Sequence, residues 1–95
     1  MGVDYSGYMV VGNEYEEISI PEDVEDVYDW LDENDMRHFS PHYDAPLHEC
    51  SIGFSIGDVE VGKMEVWLQE VKELAVKFKE ITGADAYLFG TQHIY

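Results

Sequence analysis

Basic residues are what this sequence has least of: five Lys plus Arg stand against 21 Asp plus Glu in 95 residues, a formal net charge of −16 at pH 7. Proteins that hold nucleic acid by its phosphates do so with Lys and Arg that release counterions, so direct nucleic-acid binding is excluded. A bare anionic membrane surface is excluded on the same ground. The one cysteine, Cys50, has no internal disulfide partner, and the fold therefore does not depend on an oxidising compartment. No stretch reaches the ~18 apolar residues that span a bilayer. The opening MGVDYSGYMVVG has neither a basic n-region nor a signal-peptide apolar run, and the expectation is a soluble, cytoplasmic protein. Also missing are internal repeats, low-complexity tracts, a Pro/Gly/Ser-rich linker, a phosphate-binding glycine loop, an HExxH pair and a calcium loop. No residue pattern asks for a cofactor, and the chain reads as a protein that is not an enzyme.

What is present is enough apolar residue for a packed core. A hydrophobic share of 45% and an aromatic share of 14% are those of a globule rather than of an acidic disordered tail. Residues 1–95 read as a single α+β domain with an acidic N-terminal half. Ser6 to Val11 is an apolar run closed by Gly12-Asn13, a strand and its turn, and Tyr15 to Ile20 is expected to pair back across that turn. From Pro21 to Asn34, Val24, Val27 and Leu31 recur at helical spacing, with Tyr28 and Trp30 beside the stripe. Residues 37–47, with Pro41 and Pro46, read as a loop or an irregular edge strand. His48 to Ile56 alternates as a strand should. Lys63 to Thr82 places Met64, Trp67, Val71, Leu74, Phe78 and Ile81 on one helical face, Gly83 supplies a C-terminal cap, and Ala86 to Phe89 is a last strand. These elements predict two helices packed on one face of a small sheet of three to five strands, mixed or antiparallel, for which a ferredoxin-like topology is one solution.

The charge is unevenly placed. Residues 1–36 hold 12 of the acids and no Lys or Arg, whereas the long helix sets Lys63, Lys72, Lys77 and Lys79 against Glu65, Glu70, Glu73 and Glu80. Like charges three and four residues apart oppose helix formation, so the crowding on the short helix carries a cost. Duplex DNA presents one negative charge per ~1.7 Å of axis, a density that carboxylates on a helix and its flanking turn approach. Glu14, Glu16, Glu17, Glu22, Asp23, Glu25, Asp26, Asp29, Asp32 and Glu33 are therefore the candidate partner-binding residues. They suit a small acidic interaction protein that binds and blocks the basic, nucleic-acid-binding surface of another protein. In size and charge alone the chain is similar to the small DNA-mimic inhibitors that phages direct against host defence, anti-CRISPR proteins among them. The plain alternative is surplus acid that only keeps a domain soluble.

A second reading starts from density of a different kind. His38, His42, His48 and Cys50 fall within thirteen residues, and His48 and Cys50, two apart, share a strand face. With His38 and His42 folding back from a loop, they would make a small metal-binding or ligand-sensing module. The ordinary alternative is surface histidines and a buried, apolar Cys50. A third reading uses the Met64 to Ile81 stripe between subunits.

Overall fold

The computed structural model describes residues 5–57 and 59–94; the side chains of residues 5–8, Tyr5 and Tyr8 among them, and of residues 92–94 lie outside the description. Four strands, β1 (Tyr5–Glu14), β2 (Arg37–Phe39), β3 (Ser51–Ile56) and β4 (Tyr87–Ile94), form one sheet in the order β2-β3-β1-β4. Every neighbouring pair is antiparallel. Helix α1 (Val27–Glu33) joins β1 to β2, and α2 (Met64–Thr82) joins β3 to β4. The β-α-β-β-α-β order with this strand sequence is compatible with a ferredoxin-like plan. Short 3-10 turns at Tyr15–Glu17, Leu47–Glu49 and Val61–Lys63 fill the connections. Among the described residues no helix is long and apolar enough to cross a membrane.

Alternation along β3 puts Ile52 and Phe54 on one face, where they pack with Trp30 and Leu31 of α1, Met36, and Phe78 of α2. Both helices therefore cover the same face, as expected. Val10 and Phe39 belong by register to the opposite face, yet are 0% and 1% exposed. The outer strands β2 and β4 approach one another to Cα separations within 8 Å, so the sheet is curled, and the Arg37 guanidinium lies over the Phe39 ring at 5.5 Å. Gly12 and Gly53 face each other across β1 and β3 and permit that curl. A Cβ on Gly12 would lie 2.7 Å from the Gly53 Cα, and one on Gly53 would lie 2.8 Å from the Gly12 Cα.

This pair also overturns the expected hairpin. Gly12-Asn13 does not turn the chain; β1 runs on to Glu14 because the glycine is needed for close approach to β3. Tyr15 to Ile20 is not a strand either. Tyr15 N–H donates to the Cys50 carbonyl at 3.0 Å, a 3-10 turn follows, and Ile18 and Ile20 pack against the core from irregular backbone.

The short helix starts six residues later than Pro21. Asp26 has extended backbone, φ −127° and ψ 113°, and its side chain accepts a hydrogen bond from Tyr28 N–H at 2.9 Å, a capping role that ends the irregular stretch. Before it, Glu22, Asp23, Glu25 and Asp26 would repel one another on a helix with no base to pair. Val24 reaches the core without helical backbone, and Ser19 N–H donates to the Thr82 carbonyl at 2.9 Å, tying the segment to the end of α2.

Helix α1 closes with Met36 N–H donating to the Leu31 carbonyl and Asp35 N–H to that of Asp32, leaving Asp35 at φ +60°. A glycine suits that left-handed position better than aspartate does. Asp35→Gly is expected to raise stability by ~0.5 kcal/mol and Asp35→Val to lower it by ~1–2 kcal/mol, read by denaturant titration. Equal stabilities in the two variants would contradict the assignment.

Helix α2 spans nearly the range read from the sequence, and Gly83 caps it at φ +75°. Along its apolar stripe, Phe78 is fully buried and Leu74 and Ile81 are half-buried against the core. Met64 at the other end is 42% exposed.

Candidate functional site

All ten candidate carboxylates are exposed. Five of them, Asp23, Glu25, Asp26, Asp29 and Glu33, line one groove of about 490 Å³, whose apolar parts are Pro21, Val24 and Trp30. The arrangement follows from the local fold. Irregular backbone carries Asp23, Glu25 and Asp26 along one wall, and α1 contributes Asp29, Trp30 and Glu33, spaced at one helical turn, to the other.

The other five do not join the groove. Asp32 points to a smaller hollow of about 290 Å³ that it shares with Tyr28, Arg37 and His38. Glu22 is exposed next to Pro21, while Glu14 ends β1 and Glu16 and Glu17 lie on the first 3-10 turn, which packs against the Leu47–Glu49 turn. The set that composition suggested as one surface is thus a grooved centre and separate flanks.

Among the described residues none of the ten is ion-paired. The ion pairs among them use other acids: Lys79 with Asp85 at 2.9 Å, Lys77 with Asp35 at 4.0 Å, Lys63 with Glu60 at 4.0 Å, and His42 with Glu49 at 3.0 Å. The hydrogen bond that Lys79 donates to Asp85 raises the lysine's pKa above its ordinary value. Three of the four lysines are thus paired with other acids, and no Lys or Arg lines the groove.

The histidine and cysteine segment takes another form from the one proposed for it. Among the described residues no three His, Cys, Asp or Glu side chains gather as metal ligands. His38 lies on β2 with its ring edge-on to Tyr28, centroids 5.2 Å apart. His48 is exposed on a 3-10 turn, and Cys50 is buried, its thiol 3.5 Å from the Pro46 carbonyl and 3.7 Å from Ser40 Oγ. The shared strand face fails because β3 begins only at Ser51, so His48 and Cys50 are not on it. Burial pushes the Cys50 thiol pKa up, the Ser40 hydrogen bond draws it part of the way back, and the Glu49 charge raises it again. The residue is a small core side chain held as the thiol.

His42 is held by two hydrogen-bond partners. Its ring nitrogens lie 3.0 Å from the Tyr43 carbonyl and 3.0 Å from Glu49 Oε2. The Tyr43 bond first, then that to Glu49, raises its pKa above the ordinary 6.5. A raised folded value means the contact stabilises below pH ~6.5 and loses that effect as pH rises through the folded pKa. Glu49→Gln is expected to lower the His42 midpoint in an NMR titration, and an unchanged midpoint would contradict the pairing.

From the sequence, Trp30 is one of the aromatic residues that could add specificity beside the acidic face, with a place in the core as the favoured alternative. It is 8% exposed and packs in the core, and it is also one of the residues that line the acidic groove. The signal was available in its position between Asp29 and Glu33 on the acidic helix. No protein-family model, no curated protein and no solved structure matches the chain.

Proposed function

We propose that this protein binds and covers a basic, nucleic-acid-binding surface of another protein, its carboxylates standing where phosphates would. The observation that carries the reading is the groove: five exposed carboxylates together with Pro21, Val24 and Trp30, none of the five ion-paired among the described residues, in a chain of net charge −16. Lys and Arg on the partner exchange phosphate for carboxylate, and long-range attraction makes association fast and sensitive to salt. Pro21, Val24 and Trp30 supply what charge lacks, an apolar patch of fixed shape that discriminates among basic surfaces. The role is that of a DNA-mimic-like inhibitor acting by competition and without chemistry of its own, and it suits a phage protein directed at host defence.

The test is affinity capture from the source cell's lysate at low and at high salt. A nucleic-acid-binding protein retained at low salt and released at high salt is expected. Retention of the same proteins at both salts, or of none with basic nucleic-acid sites, would contradict the reading.

A further inference from the structure

Helix α2 carries more apolar surface than the core takes. Trp67, Val71, Leu74, Phe78 and Ile81 are buried or half-buried along one stripe. Beside that stripe Leu68 and Val76 are 42% and 60% exposed, and the 3-10 turn ahead of the helix adds Val61, 85% exposed. Glu65, Leu68, Lys72 and Val76 follow one another at intervals of three and four residues, so they share one face of α2. Ala75, Val76 and Lys79 border an open hollow of about 610 Å³ along that flank. Single exposed apolar residues are ordinary on a protein surface, whereas a row of them along a helix marks a contact.

The two charges in the row have no partner along the helix. Three and four residues from Lys72 stand Leu68, Gln69, Ala75 and Val76, and at the same distances from Glu65 stand Val61, Gly62, Leu68 and Gln69. Among the described residues neither takes part in an ion pair, while Lys63, Lys77 and Lys79 each lie within 4.0 Å of an acid.

This pattern is self-complementary. With a two-fold axis passing between Leu68 and Gln69, an antiparallel second copy sets Lys72 of each chain against Glu65 of the other, Leu68 beside Leu68, and Val61 level with Val76. One register serves all three contacts. A uniformly acidic or basic partner would satisfy one of the two charges and oppose the other. Overall charge selects the same occupant: from Lys63 to Thr82 four lysines offset four glutamates, whereas the rest of the chain has a single base, Arg37, among its acids. Two copies of a chain of charge −16 meet with least repulsion through this helix.

We propose that α2 pairs antiparallel with the α2 of a second copy of this chain, through Val61, Leu68 and Val76, with Lys72 of each copy against Glu65 of the other. None of these residues lines the acidic groove, so the pairing stands or falls separately from the proposed function.

Sedimentation velocity from about 10 μM to about 1 mM is expected to show the 10.9 kDa chain passing into a species of twice its mass. Lys72→Glu and Glu65→Lys each turn two attractions into two repulsions, and each is expected to weaken the dimer about tenfold or more. Mixed in equal amounts, the two variants regain opposite charges at both contacts and are expected to associate as tightly as the unmodified protein, which also shows that both are folded. Glu65→Lys lowers the net negative charge, so a dimer governed only by overall repulsion would tighten with it, and that result overturns the proposal. So does a dimer indifferent to both substitutions, or a mixture no tighter than its separate components. A chain that stays monomeric to about 1 mM overturns it as well and leaves the face to a different partner.

Discussion

Reversing Asp23, Glu25, Asp29 and Glu33 together to lysine is expected to lower affinity for the partner about a thousandfold or more, because four attractions at the interface become four repulsions. The change moves net charge from −16 to −16 + 8 = −8, so long-range steering also weakens and the salt dependence of association flattens. Folding is expected to survive with a stability change below ~1 kcal/mol, since all four side chains are exposed and none is ion-paired among the described residues. Asp26 is left in place because its side chain caps α1, and removing the cap would cost ~1 kcal/mol and confuse binding with folding. Thermal denaturation and titration against the captured partner read the two effects separately. A variant that folds and still binds as tightly would remove the carboxylates from the function.

Gly12→Ala and Gly53→Ala are each expected to cost ~3 kcal/mol or more, a large part of the stability of a domain this small. The new methyl on Gly12 would meet the Gly53 Cα at 2.7 Å and the Ile52 carbonyl carbon at 2.8 Å, and backbone cannot rotate away as a side chain can. On Gly53 it would meet the Gly12 Cα at 2.8 Å and Val10 Cγ1 at 2.9 Å. Relief requires β1 and β3 to separate, which would disturb the register that places Val10 and Val11 in the buried part of the sheet. Gly62→Ala is the control: a Cβ there has nothing within 4 Å, and stability should move by less than ~0.5 kcal/mol. Urea denaturation with an unchanged slope measures all three. A mild effect at Gly12 would mean the two strands are not so closely apposed.

Periodicity carried the fold where burial was one-sided. Helix α2 and its Gly83 cap were legible because the apolar spacing persists through five turns, and β3 because Ile52 and Phe54 alternate with small or polar residues. It failed where a residue serves a neighbour distant in sequence. Gly12 resembles a turn residue in its own context and becomes a strand residue only when Gly53 is opposite. The stripe of Val24, Val27 and Leu31 is real in its burial, but its first member reaches the core from irregular backbone that Ser19 and Thr82 tether.

The site was legible as a charge and not as a shape. All ten acids could be named from composition along the chain, whereas the division into five groove residues and five on the flanks depends on where α1 begins. The double place of Trp30, at once in the core and among the groove residues, is a property of packing that spacing alone does not contain.

Competition for the captured partner tests the claim most directly. With the partner held on labelled duplex DNA, the protein is expected to release the DNA in proportion to the amount added, less effectively as salt rises, while the variant with lysine at positions 23, 25, 29 and 33 leaves it bound. A ternary complex in which partner, DNA and protein coexist, or equal release by the lysine variant, would show that the acidic groove does not occupy the place of the phosphates.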